Sequence, residues 1–457
     1  MAALGLLLVG TWLAMVAHLT LWARAHAGHD LIHGWDDSYY FGLAHTLWVE
    51  RHVDLTNELE RLAPETIVRI EANGRTANKY GIGMPLMAAP AMIAGQALSL
   101  GPDADTMNRS RQALYLMWNS LLGVAGVGAT AWLLALMLAT LAPELPKARR
   151  HQVAAVAAAG LLLGSPLLWY VLMQPGMAHA AGVPVHVLLV WAWLRRYGQG
   201  DDSLLWPIVM GLAAGFLACI RLQDASMVML IAMGEAVRLW MRSGPWLPAL
   251  KEALAALAAA AIATLLALKP QIIYQRRLFG SLMIDGYGAQ GEGFNWLAPQ
   301  LYGVLFTTHN GLLPFHPLAA LGLLGLGLGL LSRQHARVAA VFLAMVAINV
   351  YVQAAWWAWT MGTSFGARGL LNSWLLLTWG VALLLLMAEA RGRRWFTAAL
   401  VAAALCVAWS LVLFLLFYTH RIPHDGAGFD LLSVPQRLWE AVETMAGKLA
   451  AARGHTP

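Results

Sequence analysis

Blocks of about twenty apolar residues recur along nearly the whole chain, and they restrict the fold more than any other feature. A helix of that length crosses roughly 30 Å of hydrocarbon, where each backbone N–H and C=O must be satisfied inside a helix or a closed barrel. About eleven blocks stand out, near 2–23, 112–141, 153–172, 178–194, 203–220, 224–241, 252–270, 312–332, 338–356, 369–388 and 395–418. Only 12% of the 457 residues are charged and 59% are hydrophobic, whereas soluble domains carry about 25% charge. The chain reads as an all-α, polytopic integral membrane protein.

The first block lacks a basic n-region and a small-x-small cleavage site, so it reads as a retained helix, not a signal peptide. Cys219 and Cys406 lie far apart inside apolar blocks and imply neither a disulfide framework nor a zinc motif. The net charge of +6 suits anionic headgroups. Because the basic residues are scattered through loops, a nucleic-acid partner is not expected. No internal repeat, low-complexity tract or separate soluble domain is visible.

Short loops set the expected orientation. Basic clusters occur at Lys147, Arg149 and Arg150; at Arg195 and Arg196; at Arg238, Arg242 and Lys251; at Arg333 and Arg337; and at Arg391, Arg393 and Arg394. Turns on the other face carry only Arg221 and Arg368. The positive-inside rule makes the clusters cytoplasmic, with the N-terminus inside and residues 24–111 outside. A bacterial inner membrane, with a periplasmic outer face, is the expected location. Residues 82–100 are apolar enough to span and would upset that parity. Pro85, Pro90 and Gly95 interrupt them, which predicts a broken interfacial or re-entrant segment. Three regions outside the membrane are long enough to build something: 24–111, 270–311, and the tail 419–457.

The stretch HGWDDSYYFGLAH, residues 33–45, follows the first block directly. Tyr40, Leu43, Ala44, Leu47 and Trp48 recur on one helical face, predicting an amphipathic helix lying in the headgroup layer. Asp36 and Asp37 would sit at its N-terminus. They could serve as cap and dipole partner. They could equally serve chemistry, since an ionised carboxylate can take a proton from a hydroxyl. Two carboxylates could also help hold Mg²⁺ or Mn²⁺, although two are too few to define a metal site. His26, His29 and His33 precede them, with a spacing that matches no zinc pattern.

An apolar first helix followed by an acidic pair, a nearby tyrosine and an amphipathic helix resembles the GT-C superfamily of membrane glycosyltransferases. That group includes the protein O-mannosyltransferases, the lipid A aminoarabinose transferase and RgtA/B/C/D-like transferases. NKYGIGMPLMAAP (78–90), QPGMAHA (174–180), RLQDA (221–225), KPQ (269–271), THNGLLPFHP (308–317) and TSFGAR (363–368) resemble its bacterial members. The likeness covers about 20 to 370, and all six stretches fall on the face expected to be outer. It implies inverting transfer of a sugar from a polyprenyl-phosphate donor to an acceptor hydroxyl, with an acidic residue as general base. Asp36 matches the usual first acid. Asp37 stands where Glu is common, which leaves open which acid is the base. No cofactor is required by the resemblance, although a divalent cation is compatible with it.

A donor phosphate needs cationic partners as negative charge develops on it. The resemblance puts Lys79 on lipid phosphate, and a snorkelling interfacial lysine is the plain alternative. Arg221 is either a phosphate ligand or the i,i+3 partner of Asp224. Arg368, at membrane depth, needs a partner or a polar cavity; with no acid near it in sequence, it reads as a ligand of the donor phosphate. Lys269, beside Pro270 at the expected end of a helix, is the best candidate of a group that includes Gln271, Arg276 and Arg277. Tyr40, Tyr80, His179, Gln223, Asp224, Gln271 and His309 are further substrate-binding candidates, each with a structural alternative. Trp356, Trp357 and Trp359 suit an interfacial aromatic belt, and Trp359 could instead stack on a sugar.

Two other functions fit some of these features. A transporter or flippase of a lipid-linked sugar would show inverted repeats and ionisable groups near the midplane. An O-antigen ligase-like enzyme would take a pyrophosphate donor and rely more on outer arginines and a histidine. Acceptor choice is expected to reside in 52–78 and 281–311. The sugar, the acceptor and the oligomeric state are not legible.

Overall fold

The computed structural model describes residues 1–32, 34–62, 70–72, 75–78, 80–98, 109–241, 244–280 and 292–452. His33, Lys79 and Arg242 therefore lie outside the described residues, as do parts of 52–78, 281–311 and the tail.

The chain is a multi-pass membrane protein made of helices, with one short antiparallel hairpin pairing Ile70–Ala72 with Arg75–Ala77. Among the described residues, six helices are individually long and apolar enough to cross a membrane. They are α1 (Ala2–Ala25), Arg109–Leu141, Trp246–Phe279, Ala336–Ala355, Leu371–Ala390 and Arg393–Tyr418. The other apolar blocks form shorter or interrupted helices. Lys147–Leu163 and Leu167–Leu172 part at Pro166, Leu312–Phe315 and Leu318–Leu330 part at Pro317, and a 3₁₀ turn over Leu222–Val228 precedes Met229–Met241. Proline lacks an N–H and clashes with the preceding turn, which accounts for the breaks at Pro166 and Pro317.

Between membrane helices, packing depends on close backbone approach. A Cβ added to Gly325 would fall 1.9 Å from the Gly380 carbonyl oxygen, and one on Gly380 would fall 2.0 Å from that of Gly322. Gly211 and Gly215 meet Ala260 and Thr264 in the same way. In lipid no hydrophobic force draws helices together, so contact between small residues carries the association. Leu371–Ala390 is the central helix, with 89% of its apolar window buried by protein.

Beyond α1, α2 (Trp35–His45) runs into a π-turn (Thr46–Glu50), and α3 (Thr56–Leu62) packs beside it. The expected headgroup-layer helix is covered by protein instead of lipid: Tyr39, Tyr40, Phe41, Leu43, Ala44, His45 and Thr46 are all buried. Block 82–100 is broken, into α4 (Gly83–Met87) and α5 (Ala89–Leu98). The Trp48 indole N–H donates to the Pro85 carbonyl (2.8 Å), tying the π-turn to α4.

Helix Trp246–Phe279 continues nine residues past Pro270, so the segment expected to leave the membrane at 270 starts later than the sequence predicts. Lys269 and Gln271 are inside a helix, not at its end. The tail, expected to be long enough to build something, contains a further helix, Val434–Ala452.

The basic clusters gather at one end of the bundle, where Arg149 pairs with Glu389 (3.0 Å) and Arg238 with Asp202 and Glu252. The opposite end holds the acidic pair.

Candidate active site

Asp36 and Asp37 occupy the second and third positions of α2, and Gly34 takes the N-cap position with no side-chain capping bond. Neither acid caps the helix. The approach to α2 is fixed from α6 (Arg109–Leu141), where the Gln112 side-chain Oε1 accepts from Leu31 N (2.6 Å) and Ile32 N (3.1 Å).

Both oxygens of Asp36 are engaged. Oδ1 accepts a short hydrogen bond from the Tyr80 hydroxyl, and Oδ2 lies 3.5 Å from Arg368 Nη2. Tyr80 is held by Tyr40 (stacked, 4.9 Å) and Tyr39 (edge-on, 5.6 Å). The side chain of Asp36 remains 23% exposed, so a substrate can reach it.

Asp37 sits behind, 7% exposed, and packs on QPGMAHA. A Cβ on Gly176 would lie 2.8 Å from the Asp37 carboxyl carbon, so only glycine leaves room for that carboxylate. Burial and the neighbouring Asp36 carboxylate push Asp37 up to about 7, against a smaller opposing pull from Arg368. The Tyr115 hydroxyl donates to the Gly176 carbonyl (3.0 Å) and holds that turn in place.

Arg368 lies at the mouth of the central helix. Its Nη1 contacts the Met177 sulfur (3.5 Å), and Tyr170 borders the guanidinium. The loop presenting it is fixed by THNGLLPFHP. Asn310, at φ 60°, donates from Nδ2 to the carbonyls of Thr360 (2.9 Å) and Gly362 (3.1 Å) and to Ser364 Oγ (3.2 Å). His316 fills the space against Gly366, where φ is +61°.

His179 stacks on Tyr170 at 4.4 Å and lies in the field of both Arg221 and Arg368. It is buried, and neither ring nitrogen has a protein hydrogen-bond partner. A buried polar group left in that state is costly, which makes His179 ready for an added ligand.

Other candidates have structural partners. Arg221 Nη2 donates to Gln223 Oε1 (2.6 Å), while its Nη1 is 3.9 Å from Asp224 Oδ1. Asp224 belongs to a buried network, accepting from Asn372 Nδ2 (3.1 Å) and facing His186 Nε2 at 3.6 Å. Gln271 accepts the Ile82 N–H (2.8 Å), joining the long helix to the NKYGIGMP loop. In that loop a Cβ on Gly81 would sit 1.9 Å from the Cys219 carbonyl oxygen.

His309 turns to the tail: its Nδ1 pairs with the Gly426 carbonyl (3.0 Å), and its ring fills the space beside Gly428. Trp359 packs on Gly303, and Trp356 is buried against Phe294 while Trp357 is exposed. Lys269 is exposed in an apolar groove with Ile82, Ile273 and Arg277, with Leu47 and Val53 opposite. His26 and His29 are exposed, and His26 stacks on Trp22.

Sequence reasoning missed Tyr170, which sits inside an apolar run with nothing to mark it. It also missed the contact of Gly176 with Asp37, although QPGMAHA was visible as a motif.

No protein-family model and no curated protein matches the chain. Solved structures with a related arrangement include those of the archaeal oligosaccharyltransferase AglB from Archaeoglobus fulgidus. Its complex with an inhibitory peptide and a dolichol-phosphate is 12% identical, with 93% of this chain and 56% of that chain covered and a TM-score of 0.48. The apo form gives 14% identity, 93% and 60% coverage, and 0.48. A complex with Zn and sulfate gives 15%, 89% and 52%, and 0.46. The chain spans little more than half the length of those structures. Likeness at that level assigns no function. Function has to be argued from the residues themselves.

Proposed function

We propose that the chain is a membrane glycosyltransferase that moves a sugar from a polyprenyl-phosphate donor to an acceptor hydroxyl, inverting the anomeric carbon. The observation that carries this reading is the meeting of Asp36, Tyr80 and Arg368 at one end of the bundle, supplied by three segments distant in sequence. A reachable carboxylate beside an arginine suits a reaction that removes a proton at one point and releases an anion at another.

In the proposed step Asp36 accepts the acceptor's hydroxyl proton. The freed oxygen forms its bond to the anomeric carbon while the carbon–oxygen bond to phosphate breaks, and the lipid phosphate leaves with that electron pair. Arg368 receives the charge. Its 3.5 Å contact with Asp36 is loose for an ion pair, so a phosphate oxygen can take a share of the guanidinium. His179, with both ring nitrogens unpartnered, and Arg221 extend the anion-binding side. Lys79 is added to that side by resemblance alone.

A cation bound by the acidic pair fits poorly. Asp36 is already shared by Arg368 and Tyr80, and among the described residues no third His, Cys, Asp or Glu converges on the pair. No step is routed through a metal.

The proposed orientation puts this end in the periplasm of a bacterial inner membrane, with the N-terminus in the cytoplasm. A reporter fused near Glu60 tests it, and a cytosolic signal there would remove the site from the outer face.

The function is tested with purified protein and a panel of radiolabelled polyprenyl-phosphate sugars. Release of lipid phosphate that depends on one sugar is the expected result. Movement of an intact lipid-linked sugar across vesicles without release would favour the transporter. Turnover only with a pyrophosphate donor would favour the ligase-like reading.

A further inference from the structure

At the far end of α2 from the acidic pair, three side chains converge that the proposed reaction does not use. His45 Nδ1 lies 2.9 Å from Glu58 Oε1 and 3.8 Å from Glu50 Oε1, and the three ligand atoms fall within 4.8 Å of one another. They come from the last residue of α2, the π-turn and α3. Their spacing matches no familiar zinc pattern, so the sequence does not reveal them. Among the described residues this is the one group of three such side chains with converging ligand atoms.

We infer that His45, Glu50 and Glu58 form a binding site for a divalent transition-metal cation of the Zn²⁺ class, which clamps α2 to α3. Three features support it. Zinc–nitrogen and zinc–oxygen bonds of roughly 2.0–2.2 Å at tetrahedral angles put ligand atoms about 3.4 Å apart; the 3.8 Å between His45 Nδ1 and Glu50 Oε1 is close to that figure, and the 2.9 Å His45–Glu58 hydrogen bond would open slightly to admit the ion.

Secondly, His45 and Glu58 are fully buried, and Glu58 Oε2 has no hydrogen-bond partner. A buried carboxylate with an orphaned oxygen is strongly destabilising unless a cation meets it. The two carboxylates, Glu50 and Glu58, face the imidazoles of His52 and His45, and a divalent ion would neutralise both.

Thirdly, Glu50 already has an outer partner, because His52 Nε2 lies 2.6 Å from its Oε2. Such partners commonly orient a ligating carboxylate. One imidazole with two carboxylates favours zinc-like ions over Mg²⁺ or Ca²⁺, which prefer all-oxygen sites. The ion would fix the C-terminal end of α2, whose N-terminal end presents Asp36 and Asp37.

The test uses full-length protein in detergent, stripped with chelator and then equilibrated with Zn²⁺ or Co²⁺. About one ion per chain by mass spectrometry is expected, with a Co²⁺ ligand-field absorption band and a higher melting temperature. Glu50→Gln, at a partly exposed position that tolerates change, should weaken binding at least tenfold, and His52→Ala roughly tenfold. The double variant Asp36→Asn/Asp37→Asn should keep the ion. The inference is overturned by wild-type protein that retains no stoichiometric ion, by binding unchanged in Glu50→Gln, or by binding lost in the acidic-pair variant.

Discussion

Arg368 Nη2 lies 3.5 Å from Asp36 Oδ2, joining the mouth of the central membrane helix to the first helix outside α1. Each residue belongs to a different motif, and each is held by further motifs. Tyr80 of NKYGIGMP fixes the other Asp36 oxygen, Met177 of QPGMAHA contacts Arg368, and Asn310 of THNGLLPFHP pins the loop before it. Gln271 of KPQ ties down the segment that carries Tyr80. The site is therefore a junction of stretches whose helices position one another.

If Arg368 grips the donor phosphate, Arg368→Lys should keep the charge but lose the paired donors. Transfer should fall about tenfold to a hundredfold, with the loss shared between KM and kcat. Arg368→Ala should lose more. Steady-state kinetics on the polyprenyl-phosphate sugar checks this, and an Arg368→Ala variant with wild-type kinetics would remove Arg368 from the site.

Asp37 gives a pH signature. Its carboxyl is raised from 3.8 to about 7 in the fold, so between those values the folded protein holds a proton that the unfolded chain has released. Stability should fall as pH rises from about 4 to about 7, by a few kcal/mol at most, and level off above. Asp37→Asn should flatten that dependence and raise the melting temperature at pH 8. In kcat/KM, the wild type should show an inflection near pH 7 that Asp37→Asn lacks. Melting curves and pH–rate profiles measure the two effects separately.

Gly176→Ala should damage catalysis more than folding. The new methyl would lie 2.8 Å from the Asp37 carboxyl carbon and must displace the acid or the turn. A stability loss of about 1–3 kcal/mol is expected from overpacking, with a disproportionate drop in kcat. Equal kcat in the variant and wild type would show that the position of Asp37 is unimportant.

His309→Ala should do the reverse. Its ring serves the tail through Gly426 and Gly428. A loss of about 1 kcal/mol in stability is expected, as for one hydrogen bond, with donor KM unchanged. A rise in donor KM without destabilisation would return His309 to the substrate side.

The membrane class was legible because hydrocarbon demands long apolar helices whatever their partners. The break near Pro90 was also local, since proline removes its own hydrogen bond, whereas the breaks at Pro166 and Pro317 fall inside blocks read as continuous spans. Pro270 resisted the same rule, because tertiary packing along the 205–220 helix carries Trp246–Phe279 through it. Tyr40 and Leu43 repeat at helical spacing, and that pattern cannot distinguish a lipid surface from a protein interior; in α2 the interior won. The acidic pair announced itself, whereas its partner Arg368 could not be paired from sequence. That contact depends on how the helices assemble. Glu50 and Glu58 were invisible for the same reason.

The most direct measurement is single-turnover transfer from the radiolabelled polyprenyl-phosphate sugar that the wild type accepts, compared with Asp36→Asn. Melting temperature is measured alongside to establish folding. Loss of a general base predicts a rate at least 10² lower with the protein still folded. Transfer at the wild-type rate in folded Asp36→Asn would contradict the assignment.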